Sequence, residues 1–359
     1  MYKNIKNIDK IVFGAGSFNQ LEEIIAPKRE LNNKYFVFIV DDYFKGKELE
    51  KRLPLKPNDS VYFVFTGKDE PTTQQIDTLR DEIMQAKGLP SGVVGIGGGS
   101  AMDIAKALSV MVNQEGSSTL YQGFGLAKNP SVYHVGVPTI SGTGAECSTT
   151  AVLTGPEKKL GIKGESTPFN QIVMDPELTL TVPRNHWFYT GMDTYIHCIE
   201  STHGRLNNTF STAYADMAIN LCRKVYLNPK GFGSLEAAEN LMVASLFGGL
   251  SLSYSEVGAC HALSYGLSYV LGARHGIANC IAFNVLEDFY SEGIDEFREM
   301  IKINNVDLPT NLSKNWTKEQ IDKMSDIAYN LPHMWDHALG ENWKDVLTKD
   351  RIKEMFIRM

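Results

Sequence analysis

The chain has 359 residues, a hydrophobic fraction of 43% and a charged fraction of 21%, as expected of an ordinary folded globular protein. Its formal net charge is only −7 and it contains no Lys/Arg-rich run, which excludes nucleic acid and anionic membranes as expected partners. A chain of this length favours two domains, and the predicted elements divide it into residues 1–180 and 181–359.

The cysteines and the N-terminal sequence favour a cytoplasmic protein. The five cysteines form no CxxC pair, so we expect reduced thiols. The N-terminal sequence MYKNIKNIDKIVFG lacks the apolar segment of a signal peptide, and no run of about 20 apolar residues occurs.

The N-terminal half alternates short apolar runs with helical patterns. The apolar runs are KIVFG, YFVFIV, VYFVF and GVVGIGG, and each precedes a helical stretch, in order SFNQLEEII, FKGKELEKRL, TTQQIDTLRDEIMQAK and SAMDIAKALSVMV. This alternation predicts βαβ units and a parallel sheet. In such sheets ligands bind beyond the carboxyl ends of the strands, so the residues at strand ends are the candidates for binding.

Asp41 and Asp42 follow the apolar run YFVFIV, which is the second predicted strand. A carboxylate at this point of a nucleotide-binding unit accepts hydrogen bonds from the adenosine ribose and repels a 2′-phosphate. The pair therefore favours NAD over NADP, and a solvated strand end is the alternative interpretation.

Gly97, Gly98, Gly99 and Ser100 lie between the fourth predicted strand and a predicted helix. Three glycines let the backbone approach a pyrophosphate, and Ser100 is expected to cap the helix whose free N–H groups face the anion. Asp103 is expected to cap that helix or to orient the loop. The segment is not a GxGxxG match, but its place between strand and helix favours a pyrophosphate-binding loop.

The stretch VGVPTISGTGAECSTTAVL is rich in Gly, Ser and Thr. Thr139, Thr143 and Ser148 are candidates for binding phosphate or ribose hydroxyls, and an ordinary polar loop is the alternative. The following GPEKKLGIKG predicts a hairpin tip from which Lys159 reaches a bound polar group. The last predicted strand, QIVMDPEL, ends at Asp175.

From Pro183 onward the periodicity is almost entirely helical, which predicts an all-helical second domain. Asp193 and His197 are four residues apart, so both side chains leave one helix face about one turn apart. His261 lies in the opening turn of the apolar helix CHALSYGLSYVLG, and His275 directly precedes a Gly that begins the next helix. If these segments pack together, three imidazoles and one carboxylate form a donor set that suits Zn or Fe(II) better than Mg or Ca.

Other interpretations of these residues are open, because an Asp and a His at this spacing also occur by chance on protein surfaces. A second pair with the same spacing, His333 and His337 with Asp336 between them, lies in HMWDHALG. We interpret that segment as an exposed turn of helix. The first pair is favoured by the motifs that accompany it in the sequence. With His261 and His275 it lies in the most apolar part of the predicted bundle, where burying a carboxylate and three imidazoles without a cation would cost about 1 to 3 kcal/mol for each unsatisfied group.

Five stretches occur in a fixed order along the chain: GGGSAMDIAKA, PTISGTGAECS, GMDTYIHCIE, GACHALSYG and ARHGIANCIAF. With them the chain resembles the iron-containing (group III) alcohol dehydrogenase family over essentially its whole length. The resemblance implies an α/β Rossmann-like nucleotide-binding domain followed by an all-α metal-binding domain, the fold shared with dehydroquinate synthase. It also implies a homodimeric, NAD-dependent oxidoreductase with one divalent metal ion, Fe²⁺ or Zn²⁺, that acts on a CH–OH group.

The resemblance also implies roles for individual residues. Asp193, His197, His261 and His275 match the metal-ligand positions of the family. The cofactor positions match Asp42, Gly97–Ser100, Thr139, Thr143, Ser148 and Lys159. One position departs from the family pattern, since many members have a second His four residues after the third ligand and this chain has Tyr265. We expect Tyr265 to pass the released proton towards solvent or to hydrogen-bond the substrate.

A narrower resemblance is to family members that oxidise the C8 hydroxyl of 3-deoxy-D-manno-octulosonate, on the route to an 8-amino sugar of lipopolysaccharide. It is carried by FYTGMDTYIHC, GACHALSYGLSYVLG, EPTTQQID and the short C-terminus. Arg274, beside His275, is then a candidate for attracting the carboxylate of the sugar acid, and a surface Arg is the alternative. The sequence has no flavin signature, so we expect tightly held NAD.

Three rival functions are considered. A general alcohol or polyol dehydrogenase of the same family would use the same residues. A dehydroquinate synthase-like lyase would need several Lys and Arg side chains for a phosphorylated acid, and few occur between residues 190 and 280. A metal-binding protein without catalysis leaves the glycine-rich loops unexplained.

Overall fold

The computed structural model describes residues 5–32, 35–65 and 70–359. These residues form two compact units, the first of them α/β and the second helical, as the sequence predicts. The first unit contains the residues up to Ile140 and from Ala145 to Thr179, and the second contains Ser141–Gly144 and Leu180–Met359. None of the described helices is long and apolar enough to cross a membrane.

The segment Ser141–Gly144 corrects the predicted domain boundary, because these four residues pack with the helical unit. A Cβ on Gly142 would lie 1.8 Å from the carbonyl oxygen of Thr190. A Cβ on Gly144 would lie 2.5 Å from the Cα of Gly249. The glycines in this part of the predicted nucleotide-binding stretch therefore allow the backbone to approach two helices closely.

The described part of the first unit contains a parallel sheet of six strands in the order β1-β9-β6-β4-β2-β3. The strands of this sheet are β1 (Lys10–Phe13), β2 (Phe36–Asp41), β3 (Ser60–Val64), β4 (Gly92–Gly97), β6 (Tyr133–Pro138) and β9 (Gln171–Met174). All residues of β4 are buried, and so are those of β2 except Asp41. Continuous apolar runs are typical of parallel strands that are covered on both faces.

The strand order changes direction between β2 and β4. From β2 the chain continues outward to β3, then returns to the other side of β2 as β4 and proceeds to β6. Ligands of open α/β sheets bind in the crevice beyond the carboxyl ends of the strands at such a point. The carboxyl ends of β2 and β4 are Asp41 and Gly97, two of the residues predicted to bind the cofactor.

A smaller sheet has the order β5-β8-β7 within the described residues. Its strands are β5 (Gly123–Phe124), β7 (Thr150–Thr154) and β8 (Lys159–Lys163). The antiparallel pairing of β7 with β8 confirms the hairpin predicted at GPEKKLGIKG. The helices of the first unit are α1 (Leu21–Asn32), α2 (Glu48–Lys51), α3 (Thr73–Lys87) and α4 (Gly99–Met111).

The second unit is built from helices around one apolar core. They are α5 (Arg184–His203), α6 (Thr209–Tyr226), α7 (Leu235–Tyr254), α8 (Ala259–Leu271), α9 (His275–Phe283), α10 (Glu287–Asn304), α11 (Lys318–Tyr329), α12 (Pro332–Leu339), α13 (Trp343–Val346) and α14 (Lys349–Ile357). The stretch IANCIAFNVLEDFY contributes to two helices, because the chain ends α9 at Phe283 and begins α10 at Glu287.

The interpretation of HMWDHALG as an exposed turn is wrong. The segment forms α12, in which Trp335 and His337 have no exposed surface. The Nε2 of His337 donates to the carbonyl oxygen of Glu200 at 3.0 Å, and its Nδ1 accepts from the N–H of Leu206 at 3.2 Å. His337 is therefore a core histidine with both ring nitrogens satisfied, while His333, one turn earlier in the first turn of the helix, is exposed.

Candidate active site

The carboxyl ends of β2 and β4 approach each other closely at Gly97. This glycine has a φ of +154°, and a Cβ on it would lie 2.6 Å from the Cβ of Ala101 and 2.9 Å from that of Asp41. A side chain here would push the loop away from the strand and from the helix that follows. The glycine-rich loop therefore lies beside the predicted ribose-binding residues Asp41 and Asp42, with α4 directly behind it.

The predicted capping roles of Ser100 and Asp103 are wrong. Helix α4 begins at Gly99, with Gly98 as its N-cap and no side-chain capping bond within the described residues. Ser100 is thus already the second helical residue, and Asp103 lies beyond the first turn. The first N–H groups of α4 are left for another acceptor, which is the property that makes a helix N-terminus an anion site.

A buried lysine that was not among the predicted site residues, Lys106, organises the second predicted nucleotide loop. The ammonium of Lys106 donates to the carbonyl oxygen of Ala145 at 2.9 Å, to Oγ of Ser148 at 2.9 Å and to the carbonyl oxygen of Thr150. It also lies 2.9 Å from Oδ1 of Asp103. Ser148, predicted to bind the cofactor, therefore holds the loop through Lys106. The sequence does contain an indication of this role, because Lys106 lies inside the otherwise apolar run IAKALSVM.

Three other residues were predicted to bind the cofactor, and they belong to different elements of the fold: Thr139, Thr143 and Lys159. The N–H of Thr139 donates to the carbonyl oxygen of Gly97 at 2.9 Å, which places Thr139 beside the glycine-rich loop. Thr143 belongs to the segment that packs with the helical unit. Lys159 is the first residue of β8, and its ammonium lies 2.6 Å from Oε1 of Glu70.

An open cleft of about 430 Å³ lies at the carboxyl end of β3. It is lined by residues at the end of β3, including Phe63 and Val64, by Thr72 and by residues of the N-terminal half of α3. Val64 is the register partner of Asp41 on the neighbouring strand. The cleft therefore adjoins the strand end that carries the predicted ribose-binding pair.

The structure brings together the four predicted metal ligands in the helical unit. Asp193 and His197 lie one turn apart on α5, His261 lies in the first turn of α8, and His275 is the first residue of α9. One ligand atom from each of the four lies within 4.8 Å of the others. Oδ1 of Asp193 is 3.4 Å from Nε2 of His197 and 3.3 Å from Nε2 of His261, and its Oδ2 is 3.5 Å from Nε2 of His275.

These residues fit a divalent cation. Asp193 has no exposed surface, and its Oδ2 has no hydrogen-bond partner among the described residues. One amide nitrogen lies among the polar atoms of the cluster, since Nδ2 of Asn279 is 2.6 Å from Oδ1 of Asp193 and 3.2 Å from Nε2 of both His261 and His275. A buried carboxylate oxygen without a partner, beside three imidazoles, is costly alone and is stabilised by a cation.

Neighbouring charges in the cluster lower the pKa of Asp193 and raise the pKa of His261. Burial raises the pKa of Asp193, but the adjacent His197 and His275 lower it to a value below its ordinary range. Burial lowers the pKa of His261, but the carboxylates of Glu200 and Asp193 raise it to about 9. His261 therefore carries two ring protons near neutral pH when no cation is bound.

Metal binding is expected to release about one proton from His261 near neutral pH. The pKa of about 9 means that Nε2 is protonated there, and this proton has to leave before the nitrogen binds a cation. Below the pKa, proton and metal compete, so the apparent affinity should rise about tenfold per pH unit and level off above about pH 9. Calorimetric titration with Zn²⁺ in buffers of different ionisation enthalpy measures this proton; a value of zero would contradict the expectation.

Two residues that contact the ligands were not selected from the sequence. Glu200 lies on α5 with Asp193 and His197, at positions i, i+4 and i+7 of one helix face, and its carboxylate accepts from Nδ1 of His261 at 2.5 Å. Asn279 lies four residues after His275 on α9. Both could have been found by extending the helical spacing from the selected ligands by one further turn.

Tyr265 lies one turn after His261 on α8 and is partly exposed. The centroid of its ring is 6.2 Å from that of His275. His275 is the most exposed of the four candidate ligands, with 29% of its side chain accessible. Tyr265 and His275 thus form the open side of the cluster, while the other three ligands form its buried side.

Two family models match the chain in succession. The one described as "Iron-containing alcohol dehydrogenase" matches residues 9–176. The one described as "Fe-containing alcohol dehydrogenase family, C-terminal" matches residues 187–332. The first match contains the glycine-rich loops, and the second contains all four candidate ligands.

Curated relatives carry several activities. The chain is 32% identical over 225 residues to a sulfoacetaldehyde reductase of Bilophila wadsworthia, a match that covers 60% of this chain and 57% of the relative. The chain thus matches little more than half the length of that relative. It is 26% identical over 343 residues to an NADPH-dependent butanol dehydrogenase of Clostridium saccharobutylicum, covering 89% of this chain and 81% of the relative.

The fold is similar to that of solved structures over its whole length. A sulfoacetaldehyde reductase from Bifidobacterium kashiwanohense, solved in complex with NAD⁺, superposes with a TM-score of 0.80 at 22% identity. The match covers 99% of this chain and 98% of that structure. At this level of identity the likeness concerns the fold alone, and it confirms the predicted order of an α/β unit followed by a helical unit.

Proposed function

Because the chain belongs to the iron-containing alcohol dehydrogenase family, we propose that it oxidises a primary alcohol to an aldehyde with NAD and one divalent metal ion. The observation that carries the proposal is the set of one carboxylate and three imidazoles within 4.8 Å of one another, with an orphaned oxygen on Asp193. A dehydroquinate synthase-like lyase is less well supported, because the family models that match are those of alcohol dehydrogenases.

In this proposal Asp193, His197, His261 and His275 hold the metal ion, which is Fe²⁺ or Zn²⁺. When bound, the cation supplies the Lewis acidity that lowers the pKa of the alcohol, and NAD supplies the hydride acceptor. The buried side of the cluster keeps water away from three of the ligands. The alcohol approaches from the open side, where His275 and Tyr265 lie.

The first unit contributes the nucleotide site. Asp41 and Asp42 accept hydrogen bonds from the adenosine ribose, and the N–H groups at the start of α4 bind the pyrophosphate beside Gly97 and Gly98. Two adjacent carboxylates at the end of β2 disfavour the 2′-phosphate of NADP. Thr139 lies beside this loop and completes it from the neighbouring strand end.

The narrower proposal is an alcohol that carries an acidic group, specifically the C8 hydroxyl of 3-deoxy-D-manno-octulosonate. Arg274, which is exposed and directly precedes His275, supplies a cation near the open side of the cluster. Relatives named sulfoacetaldehyde reductase act on a small acid, which supports an anionic substrate. A general alcohol dehydrogenase is the second candidate, supported by relatives named for butanol and propanol.

A substrate panel tests the proposal. The metal-reconstituted protein is assayed with NAD or NADP, and the absorbance of the reduced nicotinamide is followed. The substrates are the eight-carbon sugar acid, 2-hydroxyethanesulfonate, glycerol and short aliphatic alcohols. A preference for aliphatic alcohols would remove the narrower assignment and leave the general dehydrogenase. A protein that binds neither a divalent metal nor a nicotinamide nucleotide would overturn the whole proposal.

Replacing Tyr265 with Phe is expected to lower kcat about 10- to 100-fold and to alter the pH profile, because a proton carrier or a hydrogen bond to substrate is lost. Metal content should not change, since Tyr265 is not among the four ligands. Tyr269→Phe is the matched control, one turn further along α8 and 43% exposed. An unchanged rate and pH profile in Tyr265→Phe would remove this residue from the mechanism.

A further inference from the structure

We propose that Glu200 is the positioning residue of the metal centre, because it holds His261 in the one tautomer that binds a cation and balances the charge of that cation. The inference rests on the proposed function, since it concerns the same metal ion. Glu200 has no exposed surface, and it is not one of the four candidate ligands. Its carboxylate contacts the backbone of α8 and the ring of His261, and it adds one negative charge to the site.

Glu200 first fixes the backbone that carries His261. Helix α8 begins after Gly258, which provides no side-chain cap. The carboxylate oxygen Oε1 of Glu200 instead accepts from the N–H of Cys260 at 2.6 Å and from that of His261 at 3.4 Å. A carboxylate from α5 therefore caps the first turn of α8, where the helix dipole favours negative charge. Gly258 permits this approach, because a Cβ on it would lie 3.3 Å from Oε1.

The second oxygen of Glu200 fixes the ring. Oε2 lies 2.5 Å from Nδ1 of His261. A carboxylate has no proton to donate, so Nδ1 must be the protonated nitrogen. In the neutral imidazole the lone pair is then on Nε2, which is the nitrogen that points at Asp193 from 3.3 Å. Ligand histidines in metalloproteins are commonly oriented by a carboxylate in this way.

The charge of Glu200 completes the balance of a buried site. Asp193 and Glu200 are both fully buried and carry one negative charge each, while neutral imidazoles carry none. A divalent cation makes this group electrically neutral, so no net charge remains in the interior. Without Glu200 the same site would hold one uncompensated positive charge beside the first turns of α8 and α9, whose dipoles also disfavour it.

Glu200→Gln separates these roles with almost no change of shape. The amide oxygen can remain with the N–H of Cys260 and keep α8 capped, but then the NH₂ group faces Nδ1 of His261. That arrangement forces Nδ1 to accept and Nε2 to carry the proton, which blocks metal binding. If the amide turns over, its NH₂ faces the N–H of Cys260 and two donors oppose each other. The substitution therefore weakens the metal site in either orientation.

The test is the affinity of the full-length protein for Zn²⁺, measured by competition with a chromogenic chelator. Glu200→Gln is expected to bind Zn²⁺ about 10- to 100-fold more weakly than the parent. In the Co²⁺-loaded protein, the visible d–d spectrum should change for the variant, because the donor from His261 is altered. A role of Glu200 in stability alone would lower the melting temperature without moving either of these readouts.

Glu296→Gln is the matched control. It makes the same chemical change in the same unit, and the carboxylate of Glu296 also contacts α5, through the hydroxyl of Tyr195, but it touches no candidate ligand. Its Zn²⁺ affinity should equal that of the parent. Equal affinity of Glu200→Gln and parent, or equal losses in both variants, would overturn the role of Glu200. A parent that binds no divalent metal would instead overturn the proposed function, and this inference with it.

Discussion

Replacement of His261 with Ala is expected to remove the metal ion from the purified protein and to lower turnover about 10³-fold. The Lewis acidity of a bound metal is worth several kcal/mol in the transition state, and each 1.4 kcal/mol corresponds to about a factor of ten. His261 contacts a buried carboxylate on each side of its ring, since it faces Asp193 through Nε2 and Glu200 through Nδ1. Its removal also leaves the buried carboxylate of Glu200 without its ring partner.

Metal content by elemental analysis and turnover under saturating substrate are the two measurements. His203→Ala is the matched control, because His203 also lies in this unit, at the end of α5, but is exposed and outside the ligand cluster. It should retain both metal and activity. Stoichiometric metal in His261→Ala, with turnover near that of the parent, would remove the proposed centre and the mechanism built on it.

Lys106→Met is expected to destabilise the first unit by about 3 to 5 kcal/mol, the usual cost of removing one partner of a buried ion pair. Lys106 has no exposed surface, while the side chain of Asp103 is 14% exposed. Methionine preserves most of the volume, so the loss comes from polar contacts. The carbonyl oxygens of Ala145 and Thr150 lose a donor. The loop between β6 and β7 therefore loses the ammonium group that holds its backbone in place.

The destabilisation by Lys106→Met should grow with pH. Burial raises the pKa of Asp103 despite the opposing effect of Lys106, and without the ammonium the pKa rises further. An acid whose folded pKa is raised destabilises the fold once it ionises, so the penalty is small at low pH and increases as pH passes through the folded pKa. The double variant Lys106→Met, Asp103→Asn should recover part of the stability, because it removes the unpaired charge.

Hydrogen exchange in peptides of α4 and β7 reports the stability of this unit directly. The surface control is Lys51→Met, whose ammonium pairs with Glu48 while 71% exposed; its effect should stay within about 1 kcal/mol. NAD affinity should fall in Lys106→Met, since the Ser148 loop is released, and remain unchanged in Lys51→Met. Unchanged protection of the 145–150 segment in Lys106→Met would contradict the organising role of this lysine.

Local patterns in the sequence predicted the framework of both units. Continuous apolar runs marked β2 and β4, because strands covered on both faces need no polar alternation. The spacing of Asp193 and His197 predicted one helix face, because side chains four residues apart leave α5 together. The same local logic failed for α12, where the polar composition of HMWDHALG suggested exposure although Trp335 and His337 are buried. Burial depends on what packs over a helix, and composition alone does not reveal it.

The sequence by itself determined the residue types of the site: a carboxylate and imidazoles on helices, and glycines between a strand and a helix. Only the tertiary structure decided which of them meet. His261 and His275 begin two different helices, and their approach to Asp193 is set by the packing of α8 and α9 against α5. The contact of Glu200 with His261 joins residues that are 61 positions apart in the sequence. The contact of Lys106 with Ala145 joins residues about 40 positions apart. Local periodicity carries no information over such separations, because contacts between elements depend on the shape of the whole packed core.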